Sequence, residues 1–530
     1  MATSFTRHAQ PQDELSLVEL CQRAGIECPP LSGDVMVRGI TADSRRVQKG
    51  WVFVALRGLR KNGDTYIPEA CRRGAVAVVS ESESFDCIPE GTVYIKVDHA
   101  RRALACLCDG WYGHPSERLV LVGVTGTNGK TSVSAMLTHL LKRAGMACGV
   151  IGTVGCVSPR GEALQVTPVE ATAHMTTPDP EELYGILYRM ATESSEGEKP
   201  VVVMEVTSHA LALDKTYPLD FEVGIFTNLS PEHLDFHGSM EEYFAVKRRL
   251  FMSARKAVIN ADDSFGRRLL TDAFLSVETY YPCCTEALVA GIDLATRGNC
   301  RRAFAGQISY HGVDGVTYRL VTPSASLRIS CPVPGSFSVK NSMQAVVAAL
   351  ALGVSPHDIE GGLSDFEGVK GRMERIQLPH HLGFSAFLDY AHTPDALENL
   401  LLTAKQLKRR GERVVILFGC GGDRDPTKRA VMAGVASRLA DMVIVTSDNS
   451  RTEDPQAIIS HIMEGMDREC PHAVITDRAE AIRYAVRHAH RGDIILLAGK
   501  GHETYEVDQN GQHPFCERDI FLSAVKEFYP

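Results

Sequence analysis

The stretch Leu119–Gly145, LVLVGVTGTNGKTSVSAMLTHLLKRAG, constrains this chain more than any other. A β-branched apolar run passes through a glycine turn into a helical pattern with Lys130 and Thr131 at its mouth. Strand, glycine loop and helix in that order make a phosphate cradle. The strict spacing asks for a further glycine where Val124 stands, so the pattern is not met to the letter. The physical requirements are met all the same. Gly126 and Gly129 leave backbone amides open to an anion, the helix N-terminus adds its dipole, Lys130 adds a charge and Thr131 a hydroxyl for Mg²⁺. A nucleoside triphosphate is the natural tenant. The cradle alone does not separate a kinase, a switch, a pump and a ligase.

The rest of the chain sets that cradle in a larger frame. With 530 residues there is room for about three domains. A net charge of −9 argues against broad attraction to nucleic acid or anionic membrane. No apolar run is long enough to span a bilayer, and the N-terminus has no secretory apolar core. The 15 cysteines are scattered without metal spacing, which predicts free thiols in a reducing cytoplasm.

Pattern changes divide the chain into three regions. Residues 1–118 carry short strands such as GAVAVVSES and GTVYIKVD, and DSRRVQKGWVFVALRG reads as a polar loop, a turn at Gly50 and a strand. Residues 119–370 alternate buried strands with helices, as in PVVVMEVTS and VGIFTNLS, which predicts a parallel sheet covered on both faces. QISY and VTYRLVT suggest a small antiparallel excursion. Residues 371–530 place acidic or glycine-rich tips after apolar strands: LDYAHTPD, ILFGCGG, MVIVTSDN and ILLAGKGHE. That is a second open α/β sheet, whose ligands belong at these tips. The fold class is therefore α/β in three domains.

Three residues near the cradle stand out. Glu205 ends a buried strand, where an unpaired carboxylate is costly unless a cation is present. His233 lies just past the next strand. In SMEEYFAVKRRLFMS, helical spacing puts Lys247 on one face with Tyr243, Phe244, Leu250 and Phe251. A lysine there either snorkels to solvent or is a desolvated amine of lowered pKa. Such an amine can take up CO₂ as a carbamate and so become a metal ligand.

TGTNGKT, EVTSHA, TNLSPEHLDFHG, the YFAVKRRLF lysine, VINADD, GRMER, DYAHTPDALENLL, FGCGGDRDPTKR and GKGHETYE follow one another in the order seen in Mur ligases. From about Asp43 to Glu506 the chain resembles, within that family, the ligases that add the third peptide residue to UDP-N-acetylmuramoyl-L-alanyl-D-glutamate. The resemblance implies a small UDP-binding α/β domain, a central P-loop-type ATPase domain and a C-terminal Rossmann-like domain. It also implies ATP-dependent amide formation through an acyl phosphate, with Mg²⁺, by a cytoplasmic monomer acting on small molecules. By the same resemblance, Thr125, Gly126, Thr127, Asn128, Gly129, Lys130 and Thr131 hold the triphosphate. Asn260, Asn341, Arg372, Asp389, Tyr390 and His392 add nucleotide contacts. Thr131, Glu205, His233 and Lys247, as N6-carboxylysine, organise the metal, and Lys130, Glu205, His233 and Lys247 form the catalytic set.

The UDP-muramoyl dipeptide falls to Ser44, Arg45, Thr176, Thr177, Thr207 and Lys215. Thr207 stands where a serine is usual, Lys215 where an arginine is, and Met175 where an asparagine is. The incoming amino acid falls to Arg424, Asp448, Asn449, Ser450, Arg451, Gly499 and Glu503. Members that add meso-diaminopimelate carry Asp-Asn-Pro-Arg, and Arg451 suits that acceptor's distal carboxylate. Ser450 breaks the pattern, because serine neither fixes φ nor removes an amide donor. Lysine and ornithine therefore stay open as acceptors. So do the sibling ligase of the next step, a folylpolyglutamate-type ligase and, in another class, a nucleotide-binding regulator that does not ligate.

Overall fold

The computed structural model describes residues 14–31, 33–58, 62–83, 88–164, 176–193, 197–285 and 299–530. Three sheets carry most of it. The strands Gly39–Thr41, Trp51–Val54, Ala75–Ser80 and Val93–Lys96 form a four-stranded parallel sheet near the N-terminus. The turn expected at Gly50 is there, with φ of 89°.

The central sheet has ten strands. Val120–Thr125 lies inside it, parallel to Val201–Glu205 on one side and Phe221–Phe226 on the other. Its side chains alternate between faces: Leu121 joins one buried cluster, Val122 and Val124 another. Both faces are apolar, so this strand has to be interior. Helices Lys130–Arg143 and Ser336–Ala351 cover one face, packing Leu137, Leu140, Val346 and Val347 against it. On the other face a single cluster runs from Leu17 and Leu104 through Leu183 to Phe221, joining the N-terminal region to the central sheet.

The antiparallel segment expected at QISY and VTYRLVT is there, and it belongs to the central sheet. Ala303–Tyr310, Val316–Val321 and Ser326–Cys331 do not stand apart; Ala303–Tyr310 pairs in parallel with Thr279–Thr285, and the other two extend the same sheet to its edge. Tyr318, Leu320 and Ile329 alternate with polar residues and bury one face against Ser336–Ala351's cluster.

The C-terminal sheet runs in the order Glu374–Ile376, Ser385–Asp389, Ile494–Ala498, Val414–Phe418, Met442–Val445, His472–Val474. All pairs are parallel except the first. The polar tips therefore share one edge of the sheet. Among the described residues every cysteine is free, and no helix is long and apolar enough to cross a membrane.

Candidate active site

The loop after Val120–Thr125 is shaped by close approach. A Cβ on Gly126 would lie 1.9 Å from Thr227 Oγ1, and one on Gly129, at φ of 87°, 2.7 Å from Asn341 Oδ1. Neither position has room for a side chain. The Asn128 amide donates to Asn228 Oδ1 at 2.9 Å, and Thr227 Oγ1 donates to the Asn128 carbonyl at 2.6 Å. Thr125 and Thr127 are held by the carbonyls of Val206 and Ser230. The cradle is thus fastened to the strand ends on both sides.

Glu205 is buried at the tip of its strand. Its carboxylate accepts from Thr131 Oγ1 at 3.0 Å, Thr153 Oγ1 at 3.1 Å and the Thr153 amide at 2.9 Å. These neutral donors offset part of the cost of burial. No trio of His, Cys, Asp or Glu side chains among the described residues converges as an all-protein metal site. Mg²⁺ needs none, because it binds through one or two carboxylates together with phosphate oxygens and water. The hydroxyl and carboxylate of Thr131 and Glu205 are hard oxygen donors and fit it.

Lys247 is buried, as are Tyr243, Phe244, Leu250 and Phe251, so the predicted stripe is the packed face. Its amine does not snorkel. Lys247 Nζ donates to the Gly126 carbonyl at 2.8 Å, and Lys130 Nζ donates to the same oxygen at 3.0 Å. Burial, and then the Lys130 charge, push the Lys247 amine well below the usual lysine range, while Glu232 pulls the other way. Burial lowers Lys130 too, with Glu232 and Glu205 opposing.

His233 has a left-handed backbone (φ of 56°) and an exposed side chain, packed edge-on to His209 with ring centroids 4.8 Å apart. A cavity of about 370 Å³ gathers Lys130, Lys247, His233, Glu232, Thr176, Thr177, Thr207 and Lys215. Glu205 lies behind Thr131 and Thr153 and does not line it. Thr177 Oγ1 donates to the Glu205 carbonyl at 2.8 Å and Lys215 Nζ pairs with Asp179 at 2.8 Å. Met175 lies outside the described residues.

On the other side of the loop a crevice of about 400 Å³ is lined by Asn128, Gly129, Asn260 and Asn341 and, from the C-terminal region, Arg372 and Asp389. Arg372 lies over the Tyr390 ring at 5.0 Å, and His392 packs on that ring at 4.7 Å. Asp389 accepts from the amides of Met373 and Ala391. Of the predicted nucleotide residues, Asn128, Gly129, Asn260, Asn341, Arg372 and Asp389 therefore meet at this crevice, while Tyr390 and His392 pack beside Arg372 without lining it.

Ser44, Arg45 and the predicted acceptor residues line neither of these two cavities. Ser44 is buried, and its hydroxyl donates to Glu69 at 3.2 Å, while Arg45 is exposed and paired with Asp43 at 2.7 Å. In the acceptor set, Asp448 and Gly499 adjoin: a Cβ on Gly499 would lie 2.6 Å from Asp448 Oδ2. Asn449 donates to Glu503 at 2.9 Å and accepts from Lys500 Nζ and the Val507 amide. Burial raises the Glu503 carboxyl, the Asn449 bond opposes, and Asp448 raises it further. Ser450 is buried. Arg451, at φ of 51°, donates to the carbonyls of Gly422 and Asn449. Arg424 is exposed, its guanidinium on the Asp423 carbonyl.

Thr153, Glu232 and His209 were not singled out from sequence. Glu232 and His209 sit in quoted motifs, so position in the motif was the available signal; Thr153 had none.

Three family models match in order: "Mur ligase family, catalytic domain" over residues 36–112, "Mur ligase middle domain" over 124–349 and "Mur ligase, glutamate ligase domain" over 371–501. A UDP-N-acetylmuramoyl-L-alanyl-D-glutamate–2,6-diaminopimelate ligase of Clostridioides difficile is 37% identical over 489 residues, 92% of this chain and 94% of that one. The chain belongs to the Mur ligase family. A Chlorobium phaeobacteroides protein of the same name is 40% identical to this Mur ligase, covering 92% of each chain. A solved structure, again of a UDP-N-acetylmuramoyl-L-alanyl-D-glutamate–2,6-diaminopimelate ligase, aligns with a TM-score of 0.65 at 29% identity, over 97% of this Mur ligase and all of that chain. A MurF ligase from Thermotoga maritima, solved in complex with ADP, shares the fold at 17% identity and a TM-score of 0.52, over 93% of this chain and 97% of its own.

Proposed function

We propose that this Mur ligase joins a diamino acid, meso-2,6-diaminopimelate, to UDP-N-acetylmuramoyl-L-alanyl-D-glutamate in an ATP-dependent step of peptidoglycan precursor synthesis. It works in the cytoplasm as a monomer of three modules meeting near residues 118 and 370. One observation carries the reading. The glycine loop is a partition: Asn128 and Gly129 face the crevice shared with Arg372 and Asp389, and Lys130 faces the cavity of Thr176, Thr177 and Lys215. A nucleotide in the first would present its terminal phosphate to a carboxylate in the second.

The chemistry follows from that arrangement. A carboxylate oxygen of the dipeptide attacks the γ-phosphorus, the bond to the β-phosphate oxygen breaks, and ADP leaves behind an acyl phosphate. Lys130 and Arg372 offset the charge that spreads over the transferring group. The acceptor amine then attacks the carbonyl carbon, loses a proton and expels phosphate. Mg²⁺ held by Thr131 and Glu205, with His233 and a carbamylated Lys247 at a second position, would supply further charge neutralisation. Lys247's environment favours the neutral amine that carbamylation requires. In the acceptor pocket Glu503 and Asp448 suit an ammonium, and Arg451 the distal carboxylate. Lysine or ornithine is the second reading, favoured by Ser450 at the position of the usual proline.

Protein given ATP, Mg²⁺ and the UDP-muramoyl dipeptide should release phosphate only when a diamino acid is added. Equal release without one would mean an ATPase or a switch. Diaminopimelate, lysine and ornithine, supplied in turn, identify the acceptor.

A further inference from the structure

We propose that Arg478 is a positioning residue for the incoming amino acid, fixing the acceptor pocket without touching the substrate. The inference rests on the acceptor binding at the tips holding Asp448 and Gly499. Those tips end the strands Met442–Val445 and Ile494–Ala498, which are not neighbours, since Val414–Phe418 lies between them. No ladder of backbone bonds sets one tip against the other. Arg478 does so instead. From the start of helix Arg478–Arg487 its guanidinium donates to the Ser447 carbonyl at 3.0 Å and to the Ala498 carbonyl at 2.7 Å. Each of those carbonyls immediately precedes a pocket residue, Asp448 in one case and Gly499 in the other.

The third arm, Nε, donates to Glu517 Oε1 at 2.8 Å, on the C-terminal helix Glu517–Phe528. The Arg478 side chain is fully buried, and its Nη1 is 4.0 Å from Asp448 Oδ2. Asp448 is in turn 3.8 Å from Lys500 Nζ, the group that donates to Asn449. The charge of the buried guanidinium is met by Glu517 and Asp448, and its planar fork is spent on two carbonyls. A lysine could keep the charge but has no fork to span both.

The plain alternative is an ion pair that merely docks the last helix. Two variants separate the two. Arg478→Lys should raise KM for the diamino acid roughly 10- to 100-fold, leaving KM for ATP and for the UDP-muramoyl dipeptide within about twofold. KM does not depend on the folded fraction, so a less stable preparation still reports. Glu517→Gln keeps an acceptor oxygen for Nε and should leave the acceptor KM near wild type while lowering the melting temperature. Arg478→Lys with an unchanged acceptor KM, or with all three KM values raised alike, overturns the proposal. So does Glu517→Gln raising the acceptor KM as far as Arg478→Lys does. If no diamino acid supports turnover by the wild type, it is the ligase reading that has failed.

Discussion

The phosphate cradle and the acceptor pocket are built by opposite means. The cradle is a backbone loop pinned from both sides: it lies between two strands that both pair with its own, bonded to neighbouring backbone and to the side chains of Thr227 and Asn228. The acceptor pocket is a set of charged side chains on tips of separated strands, held by Arg478, Lys500 and Asn449. The cradle's backbone donors survive changes in side chains that do not themselves pin or crowd the loop. A charge network does not, because removing one member leaves another buried and unpaired. Substitutions at the cradle should therefore cost chemistry, and those at the pocket should cost choice of acceptor.

The largest effect is expected at the cradle. Lys247→Ala removes the amine beneath Gly126 and should lower kcat roughly 10³-fold, with partial rescue by a short carboxylic acid in place of the carbamate. Wild-type turnover in that variant, measured as phosphate release, would take Lys247 out of the mechanism. At the pocket, Arg451→Ala should raise KM for diaminopimelate roughly 10- to 100-fold and leave lysine use unchanged. Loss of both acceptors together would blur the contrast between the two regions. The smallest effect is a pH dependence. Burial raises the Glu503 carboxyl above its ordinary value of 4.5, so it takes up its proton earlier as pH falls. Protonation removes the charge that meets the acceptor's ammonium. kcat/KM for the acceptor should fall on the acid side through that raised pKa, and Glu503→Gln should flatten the limb. An unaltered limb in the Gln variant assigns it to another group.

Much of the cradle was legible in sequence because its information is local. Strand, loop and helix are contiguous, and helical spacing alone places Lys247 among Tyr243, Phe244 and Leu250. The tips of the C-terminal sheet were readable for the same reason. The rest depends on contacts between distant stretches. The hairpin of Ala303–Tyr310 and Val316–Val321 joins the main sheet through the pairing of Ala303–Tyr310 with Thr279–Thr285, and apolar alternation does not say which sheet a hairpin joins. Ser44 turns inward to Glu69, a partner 25 residues away. The part played by Thr153 follows from a strand that pairs beside Glu205's own. Arg478 carries no motif; its burial and its bonds to two strand-end carbonyls mark it only in the fold.

The order of the C-terminal sheet sets the loop of residues 448–451, though not the whole acceptor pocket, apart from the nucleotide end. Asp389 ends one strand and that loop follows another, with two strands between them, a lateral gap of roughly 14 Å at the usual strand spacing, while Gly499 lies at the tip beside Asp389. A lineage can retool the far tips to take a different third residue while the end that grips the nucleotide stays as it is. Ser450 sits on the side where such drift costs the power stroke nothing.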